Sequence, residues 1–191
     1  MIASRYTCTK GDSSVARCYL TRPNASGESA AGCGEIVASG LDRKLILLIE
    51  DNIDDERLTL RALRRNNIMN EVVVACDGLE ALDFLYGKGQ YEGRDVSVMP
   101  ALIALDLKLP KLSGIEVLRR IREEEVTSSI PVVVLTADDN PAKIRECYEL
   151  GANSYIPKPT DPGEFSEAIL QMAMYWLLLN RPAKPSHGSH A

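Results

Sequence analysis

Five groups that could do chemistry stand at or just after apolar runs of this sequence. Glu50 and Asp51 follow KLILLI, Asp106 follows LIAL, Thr136 ends PVVVLT, and Lys158 comes soon after NSYI. Carboxylates packed closely repel one another unless a cation lies between them, and Mg²⁺ is satisfied by one or two carboxylates with water and phosphate oxygens. A lysine ammonium suits a phosphate oxygen as a point charge. Together these residue types are typical of phosphoryl transfer, with Asp106 as the nucleophile that would form an aspartyl phosphate.

The elements that must position these groups can be predicted from hydrophobic periodicity. Between residues 42 and 180, apolar runs alternate with amphipathic stretches, which predicts a strand followed by a helix five times. The strand runs are continuous in Val, Ile and Leu, as in parallel strands covered on both faces. We therefore predict an α/β fold with a doubly wound, five-stranded parallel sheet in the strand order 2-1-3-4-5. In such sheets ligands bind beyond the carboxyl ends of the strands, so the five groups should meet there.

The two ends of the sequence differ from this predicted domain at 42–180. Residues 1–40 are rich in Gly, Ser, Ala and Thr and keep no helical or strand period, which predicts a disordered N-terminal extension. A transit-type segment and a misassigned start are alternative interpretations of the same residues. Residues 181–191 contain Pro, Ser and Gly, which predicts a flexible C-terminal tail.

The bulk composition excludes several classes of protein. The net charge of −5 disfavours a protein that binds nucleic acid, because such binding depends on basic surface. No apolar run reaches about 18 residues and the N-terminus lacks an apolar signal segment, so we predict no membrane partner. The five cysteines are an odd number without metal-ligand spacing, which indicates reduced thiols and a cytoplasmic location.

These motifs resemble the receiver domain of two-component response regulators. The resemblance covers about residues 43–180 and rests on LILLIEDN, LIALDLKLPKLSGIEVL, PVVVLTA and GANSYIPKP. It implies the CheY-like (βα)5 arrangement of the flavodoxin type, Mg²⁺ as cofactor, a sensor histidine kinase as partner and phosphorylation at Asp106. The long loop at 87–99 and the ending MAMYWLLLN resemble the single-domain regulators that partner phytochrome-type light-sensing histidine kinases.

The resemblance implies three kinds of role at the site. The metal ligands would be Glu50, Asp51, Asp106 and the backbone carbonyl of Lys108. The groups that stabilise the phosphoryl group would be Thr136, Ala137 and Lys158, with the small alanine leaving room for it. Thr136 and Tyr155 would form a conformational switch, and the peptide bond before Pro159 would be cis, an uncommon geometry that usually serves a purpose.

We therefore predict a stand-alone response regulator that signals through a phosphorylation-dependent protein surface and catalyses only its own phosphorylation and slow dephosphorylation. A Mg²⁺-dependent phosphatase would need a second aspartate, as general acid, where this sequence has Lys108. An unphosphorylated pseudo-receiver used only for docking would have lost one of the groups above, and none is lost. A DNA-binding regulator is disfavoured by the charge and by the lack of room for a second domain.

The last predicted helix, 161–179, carries more apolar side chains than one face can bury. A core stripe at helical spacing contains Phe165, Ile169, Met172, Ala173 and Trp176. Further apolar residues lie largely off that stripe, namely Leu170, Met174, Tyr175, Leu178 and Leu179. A helix that is apolar on more than one side usually has a second partner. We predict a homodimer through the face around 141–150 and 161–179, with Tyr175, Trp176 and Leu179 in the interface; a folded-back tail is the alternative partner.

Overall fold

One mixed sheet forms the centre of the protein in a computed structural model that describes residues 17–19, 44–66, 68 and 70–181. Its strands are β1 (Arg17–Tyr19), β2 (Leu45–Ile49), β3 (Glu71–Ala75), β4 (Leu102–Leu105), β5 (Val132–Thr136) and β6 (Ser154–Pro157). Their spatial order is β1-β3-β2-β4-β5-β6, and β2 to β6 pair in parallel. Counted from β2, these five strands have the order 2-1-3-4-5, so the predicted fold is confirmed.

Helices cover both faces of the sheet. They are α1 (Ile53–Arg65), α2 (Gly78–Tyr86), α3 (Gly114–Glu123), the short α4 (Glu125–Ser128), α5 (Pro141–Glu149) and α6 (Pro162–Ala173). A 3₁₀ turn at Gly89–Tyr91 follows α2, and a π-helical segment at Met174–Leu179 extends α6. Within the described part of the chain, no helix has the length and apolar character needed to span a bilayer.

The period of two along each strand divides the core between the two faces. Leu45, Leu47 and Ile49 of β2 belong to a cluster that includes side chains of α2 and α3, whereas Ile46 and Leu48 belong to a cluster with α1 and α6. Every residue of β2, β4 and β5 is buried. These strands therefore read as continuous apolar runs because both of their faces are covered.

Strand β1 was not predicted. It pairs antiparallel with the outer edge of β3, with Arg17 opposite Val74 and Tyr19 opposite Val72. The edge of a sheet offers free backbone N–H and C=O groups, so a short segment can bind there without any hydrophobic period of its own. The structure thus has one short strand, Arg17–Tyr19, within the stretch 1–40 that was predicted to be a disordered extension. The rest of that segment, and the tail from 182 to 191, lie outside the described residues.

The core stripe of the last helix is confirmed up to Ala173, and Trp176 packs against the core while remaining partly exposed. The buried side chains of this stretch are Phe165, Ile169, Met172, Ala173 and Leu177. The π-helical segment after Ala173 holds more residues per turn than an α-helix, so Leu177 takes the core position and Trp176 is only partly buried beside it. The Lys44 ammonium donates to the Leu177 carbonyl over 2.6 Å and ties this segment to the start of β2.

Candidate functional site

Charged side chains from three strand ends meet at the carboxyl edge of the sheet, as predicted. The Lys158 ammonium after β6 lies 2.6 Å from Glu50 Oε2 after β2 and 2.9 Å from Asp106 Oδ2 after β4. All three side chains are at least nine-tenths buried, with exposed fractions of 8% for Lys158, 2% for Glu50 and 10% for Asp106. The parallel topology explains this convergence, because neighbouring strands deliver the residues that follow them to the same edge.

Backbone hydrogen bonds fix each of these residues at its place. The Asp106 N–H donates to the Ile49 carbonyl over 3.0 Å, which continues the β2–β4 ladder to the site. The Lys158 N–H donates to the Thr136 carbonyl over 2.8 Å and continues the β5–β6 ladder. The Lys108 N–H donates to Asp106 Oδ1 over 3.2 Å, so the two carboxylate oxygens of Asp106 have different partners.

The acidic residues of the site fit a divalent metal ion. Glu50, Asp51 and Asp106 each offer an oxygen, and these atoms all lie within 4.8 Å of one another. Asp51 is exposed, so a metal ion bound there could also bind water, whereas Glu50 and Asp106 are buried. Hard oxygen donors of this kind suit Mg²⁺ and Mn²⁺. The backbone carbonyl of Lys108 as a fourth protein ligand stays a prediction.

The electrostatics of the site also favour a bound cation. Burial raises the pKa of the Glu50 carboxyl to about 7, and the Asp106 carboxylate adds to the rise although Lys158 opposes it. Burial alone would lower the pKa of Lys158, but the surrounding carboxylates hold it above its ordinary value, so the ammonium stays charged. One ammonium faces several carboxylates here, and a divalent ion would offset the excess negative charge.

Asp55 belongs to this cluster, which sequence reasoning missed. Its Oδ2 lies 2.9 Å from Lys158 Nζ, although an acid in the first turn of a helix is ordinarily explained by the favourable interaction with the helix dipole. Asn52 caps α1 by accepting hydrogen bonds from the N–H groups of Asp54 and Asp55. That cap places Asp55 in the first turn, on the side that faces the strand ends. The sequence carries no signal that Asp55, rather than Asp54 or Glu56 of the same turn, would reach Lys158.

The predicted switch residues are joined through one loop residue. Thr136 is fully buried, and its hydroxyl lies 3.4 Å from the Asp138 N–H, which donates to it. The Tyr155 hydroxyl donates to the Asp138 carbonyl over 2.5 Å, and burial raises the pKa of this tyrosine to about 12. Ala137 between them is exposed, and its role in leaving room for the phosphoryl group stays a prediction. A movement of the loop after β5 would therefore act on Thr136 and Tyr155 together.

The predicted cis peptide bond before Pro159 is wrong. Among the described residues every peptide bond is trans, including the one between Lys158 and Pro159. A trans X–Pro bond is preferred by about 0.5–1 kcal/mol, so the cis form requires tertiary contacts that stabilise it by more than this amount. Lys158 reaches Glu50 and Asp106 from the trans arrangement, so its position at the site does not require the cis bond.

Known proteins resemble this chain in sequence and in fold. Residues 46–170 match the family described as the response regulator receiver domain. The response regulator Rcp1 of Synechocystis sp. is 39% identical over 134 residues, which are 70% of this chain and 89% of Rcp1. The phosphorylated cyanobacterial phytochrome response regulator RcpA is 36% identical, with a TM-score of 0.69 over 74% of this chain and 99% of RcpA. A crystal structure of Rcp1 with bound Mn²⁺ gives the same identity, TM-score and coverage.

These similarities agree with the geometry of the site. Receiver domains are signalling proteins rather than enzymes of the usual kind, they partner histidine kinases, and they bind a divalent metal at an acidic pocket. The pocket formed here by Glu50, Asp51 and Asp106 has the required donor atoms, and Lys158 lies beside it. The chain therefore belongs to the response regulator receiver domain family and is related to the phytochrome response regulators.

Proposed function

We propose that this protein is a response regulator that accepts a phosphoryl group from a phytochrome-type histidine kinase on Asp106, with Mg²⁺ as cofactor. The observation that carries the proposal is the Asp106 carboxylate, which is buried among metal-ligating oxygens and lies 2.9 Å from the Lys158 ammonium. The protein would work in the cytoplasm and signal through a protein surface rather than through nucleic acid, as its net charge of −5 suggests.

The chemistry needs a nucleophile and charge neutralisation. An oxygen of Asp106 forms a bond to phosphorus while the bond between phosphorus and the donor's histidine nitrogen breaks, and that nitrogen keeps the electron pair. Glu50, Asp51 and Asp106 would hold Mg²⁺, which neutralises charge on the phosphoryl oxygens when bound. Lys158 is already charged and would pair with a phosphoryl oxygen, and the Lys108 N–H keeps the Asp106 carboxylate oriented.

Phosphorylation can be tested with a small-molecule donor. The full chain is incubated with Mg²⁺ and acetyl phosphate, and the forms are separated on a phosphate-affinity gel. We expect one shifted band in the wild type, no such band in Asp106→Asn, and a normal band in Asp139→Asn, an exposed aspartate outside the cluster. A shifted band that persists in Asp106→Asn would contradict the proposal, as would a wild type that gives no band with excess donor.

The identity of the kinase needs a separate test. The relation to Rcp1 and RcpA supports a phytochrome-type donor. A purified phytochrome-type histidine kinase, labelled on its own histidine, should transfer its phosphoryl group to this chain within minutes and to Asp106→Asn not at all. An unrelated labelled histidine kinase serves as the control. Equal transfer from both kinases would remove the phytochrome assignment while leaving the receiver function in place.

We also propose a homodimer through the end of the last helix. Met174, Tyr175, Leu178 and Leu179 expose between 46% and 70% of their surface on one short segment, which is unusual for large apolar side chains. Tyr175 packs edge-on against Trp176, with ring centroids 5.0 Å apart, so the exposed ring has a defined orientation. Continuity of this segment with α6 gives a second copy an ordered helical surface on which to pack.

Light scattering on the full chain tests the dimer. We expect twice the monomer mass for the wild type and the monomer mass for a variant with Leu178→Glu and Leu179→Glu. Val126→Glu, which alters another exposed apolar residue, should remain a dimer. Trp176 is a poorer choice for substitution because it is partly buried against the core. A monomeric wild type would contradict the proposal and favour the tail as the partner of this surface.

A further inference from the structure

We propose that Lys111 is a positioning residue for the phosphorylation site, acting through an ion pair with Asp77 that holds the loop at residues 107–113. This inference rests on the proposed function, because the loop affects chemistry only if Asp106, which precedes it, is phosphorylated. Neither Lys111 nor Asp77 contributes to the metal cluster, and the two residues are 34 positions apart in the sequence. Their contact joins the phosphoacceptor loop to the beginning of α2.

The backbone of Lys111 is held in an unfavourable conformation. Within the part of the chain that the structure describes, Lys111 is the one residue other than glycine with a positive φ, at 62°. A side chain with a Cβ is disfavoured there, and glycine or asparagine is the usual occupant. Something must therefore offset this conformation, and the ammonium of Lys111 lies 2.5 Å from Asp77 Oδ2.

Asp77 is a firm anchor for this lysine. Its side chain is only 8% exposed, and it caps α2 by accepting the Glu80 N–H at Oδ1 over 2.8 Å. Oδ1 is thus used by the helix and Oδ2 by Lys111. Burial would raise the pKa of the Asp77 carboxyl, but the hydrogen bonds from Lys111 and Glu80 hold it below its usual value. The carboxylate is therefore charged under all ordinary conditions.

Two close contacts at glycines transmit the position of this loop to Asp106. A Cβ at Gly78 would lie 2.5 Å from the Leu112 carbonyl oxygen, so the loop packs directly against the start of α2. A Cβ at Gly114 would overlap the Asp106 carbonyl oxygen and lie 2.7 Å from Leu107 Cα, so the far end of the loop packs against the phosphoacceptor backbone. Leu112, the residue after Lys111, is therefore held against α2, and the end of the loop is held against the backbone of Asp106 and Leu107.

The consequence at the site concerns the Lys108 amide. That amide donates to Asp106 Oδ1, and it belongs to the same loop as Lys111. If the tether were lost, the loop would open more often, the hydrogen bond to Asp106 would be made less of the time, and the carbonyl of Lys108 would move with it. Lys111 would therefore set the orientation of the nucleophile without touching the phosphoryl group.

Amide hydrogen exchange on the metal-free full chain tests the tether directly. Lys111→Met removes the charge, Lys111→Arg keeps it, and Asp77→Asn keeps the cap on α2 while losing the ion pair. We expect the Lys108 amide to exchange roughly two- to fivefold faster in Lys111→Met and in Asp77→Asn, given the usual strength of a partly exposed pair. The double variant should be no faster than either single variant, and Lys111→Arg should resemble the wild type.

Lys111→Gly separates the tether from the backbone strain. Glycine accepts a φ of 62° freely, so the melting temperature should change little while the tether is lost. Phosphorylation by acetyl phosphate should slow by roughly two- to fivefold in Lys111→Met and by less in Lys111→Gly, because glycine also removes the strain that the tether offsets. Arg120→Met, which breaks an ion pair with Glu116 on α3, is the matched control and should retain the wild-type rate.

The outcomes distinguish a failure of the tether from a failure of phosphorylation. If the wild type is not phosphorylated at all, the proposed function fails, whereas the exchange experiment still decides whether the tether exists. If the wild type is phosphorylated and Lys111→Met matches it in rate and in Lys108 exchange, the positioning role is wrong. Additive effects of Asp77→Asn and Lys111→Met would also overturn it, because two residues that act through one contact cannot each contribute independently.

Discussion

Glu50 and Glu80 are both buried glutamates, with 2% and 8% of their surface exposed, yet their surroundings differ in kind. Glu80 accepts hydrogen bonds from the Cys76 N–H over 2.7 Å, from the Gln90 amide over 2.8 Å and from the Tyr91 hydroxyl over 3.2 Å. These donors are neutral and saturate the carboxylate. Glu80 therefore ties the loop after α2 to the end of β3 and has a structural role.

Glu50 shares its ammonium partner with other acids. Lys158 donates to Glu50, Asp55 and Asp106 at once, so no carboxylate of the group has a cation to itself. Charge in this cluster is left incompletely compensated inside the protein, which is costly unless a further cation binds. Burial of a single acid therefore does not identify a functional site, whereas several buried acids that share one cation do.

Removing the shared ammonium should have the largest effect. In Lys158→Met we expect phosphorylation of Asp106 by acetyl phosphate to slow by roughly a hundredfold, because a preorganised charge at the reacting group is lost. Mg²⁺ should bind more tightly at the same time, since the competing ammonium is gone. Phosphate-affinity gels and titration calorimetry measure the two quantities. A variant that loses both phosphorylation and metal affinity would show that Lys158 supports the metal site rather than competing with it.

Glu50→Gln should separate metal binding from stability. We expect Mg²⁺ affinity to fall by roughly ten- to a hundredfold in calorimetry, because a charged ligand is lost. The free energy of unfolding should stay within about 1 kcal/mol of the wild type, since Lys158 keeps Asp55 and Asp106 as partners. A large loss of stability would mean that Glu50 resembles Glu80 after all.

Glu80→Gln should give the opposite result. The amide nitrogen cannot accept a hydrogen bond, so one of the donors that face Glu80 loses its partner, and the free energy of unfolding should fall by about 1–3 kcal/mol. Urea unfolding measures this loss. Mg²⁺ affinity should be unchanged, because Glu80 lies outside the acidic cluster of Glu50, Asp51 and Asp106. Weaker Mg²⁺ binding in this variant would contradict the division between the two glutamates.

Asp77 is a buried carboxylate whose cation, Lys111, is largely exposed. Substitution of Asp77 should therefore have the smallest effect of these variants on the free energy of unfolding. Its pKa is held below the ordinary 3.8, so its contribution to stability is fully present above that value and is lost as the pH falls through the lower, folded-state pKa. At pH 7 we expect the free energy of unfolding of Asp77→Asn to be about 0.2–1 kcal/mol lower than that of the wild type. The loss is small because asparagine still caps α2. The difference from the wild type should shrink towards pH 3.5 in urea unfolding. A difference that grows on acidification would contradict this sign.

The convergence of Glu50, Asp106 and Lys158 could be predicted because it depends on topology alone. Once the apolar runs are assigned to parallel strands, the residues that follow them must share one edge. Strand β1 could not be predicted, because three residues that pair through backbone groups leave no pattern in their side chains. Trp176 was assigned to the core on an α-helical period that the π-helical segment does not follow.

The order of strands and helices, the groups at the sheet edge and the family can all be predicted from local periodicity and from the residue types next to strand ends. The pairing of charges cannot be predicted in this way, because it depends on the folded arrangement. Lys158 contacts Asp55 across 103 positions of sequence, and Lys111 contacts Asp77 across 34. Such contacts depend on the orientation of the first residues of a helix relative to the strand ends and on the backbone conformation of single loop residues. Hydrophobic periodicity predicts neither of these features.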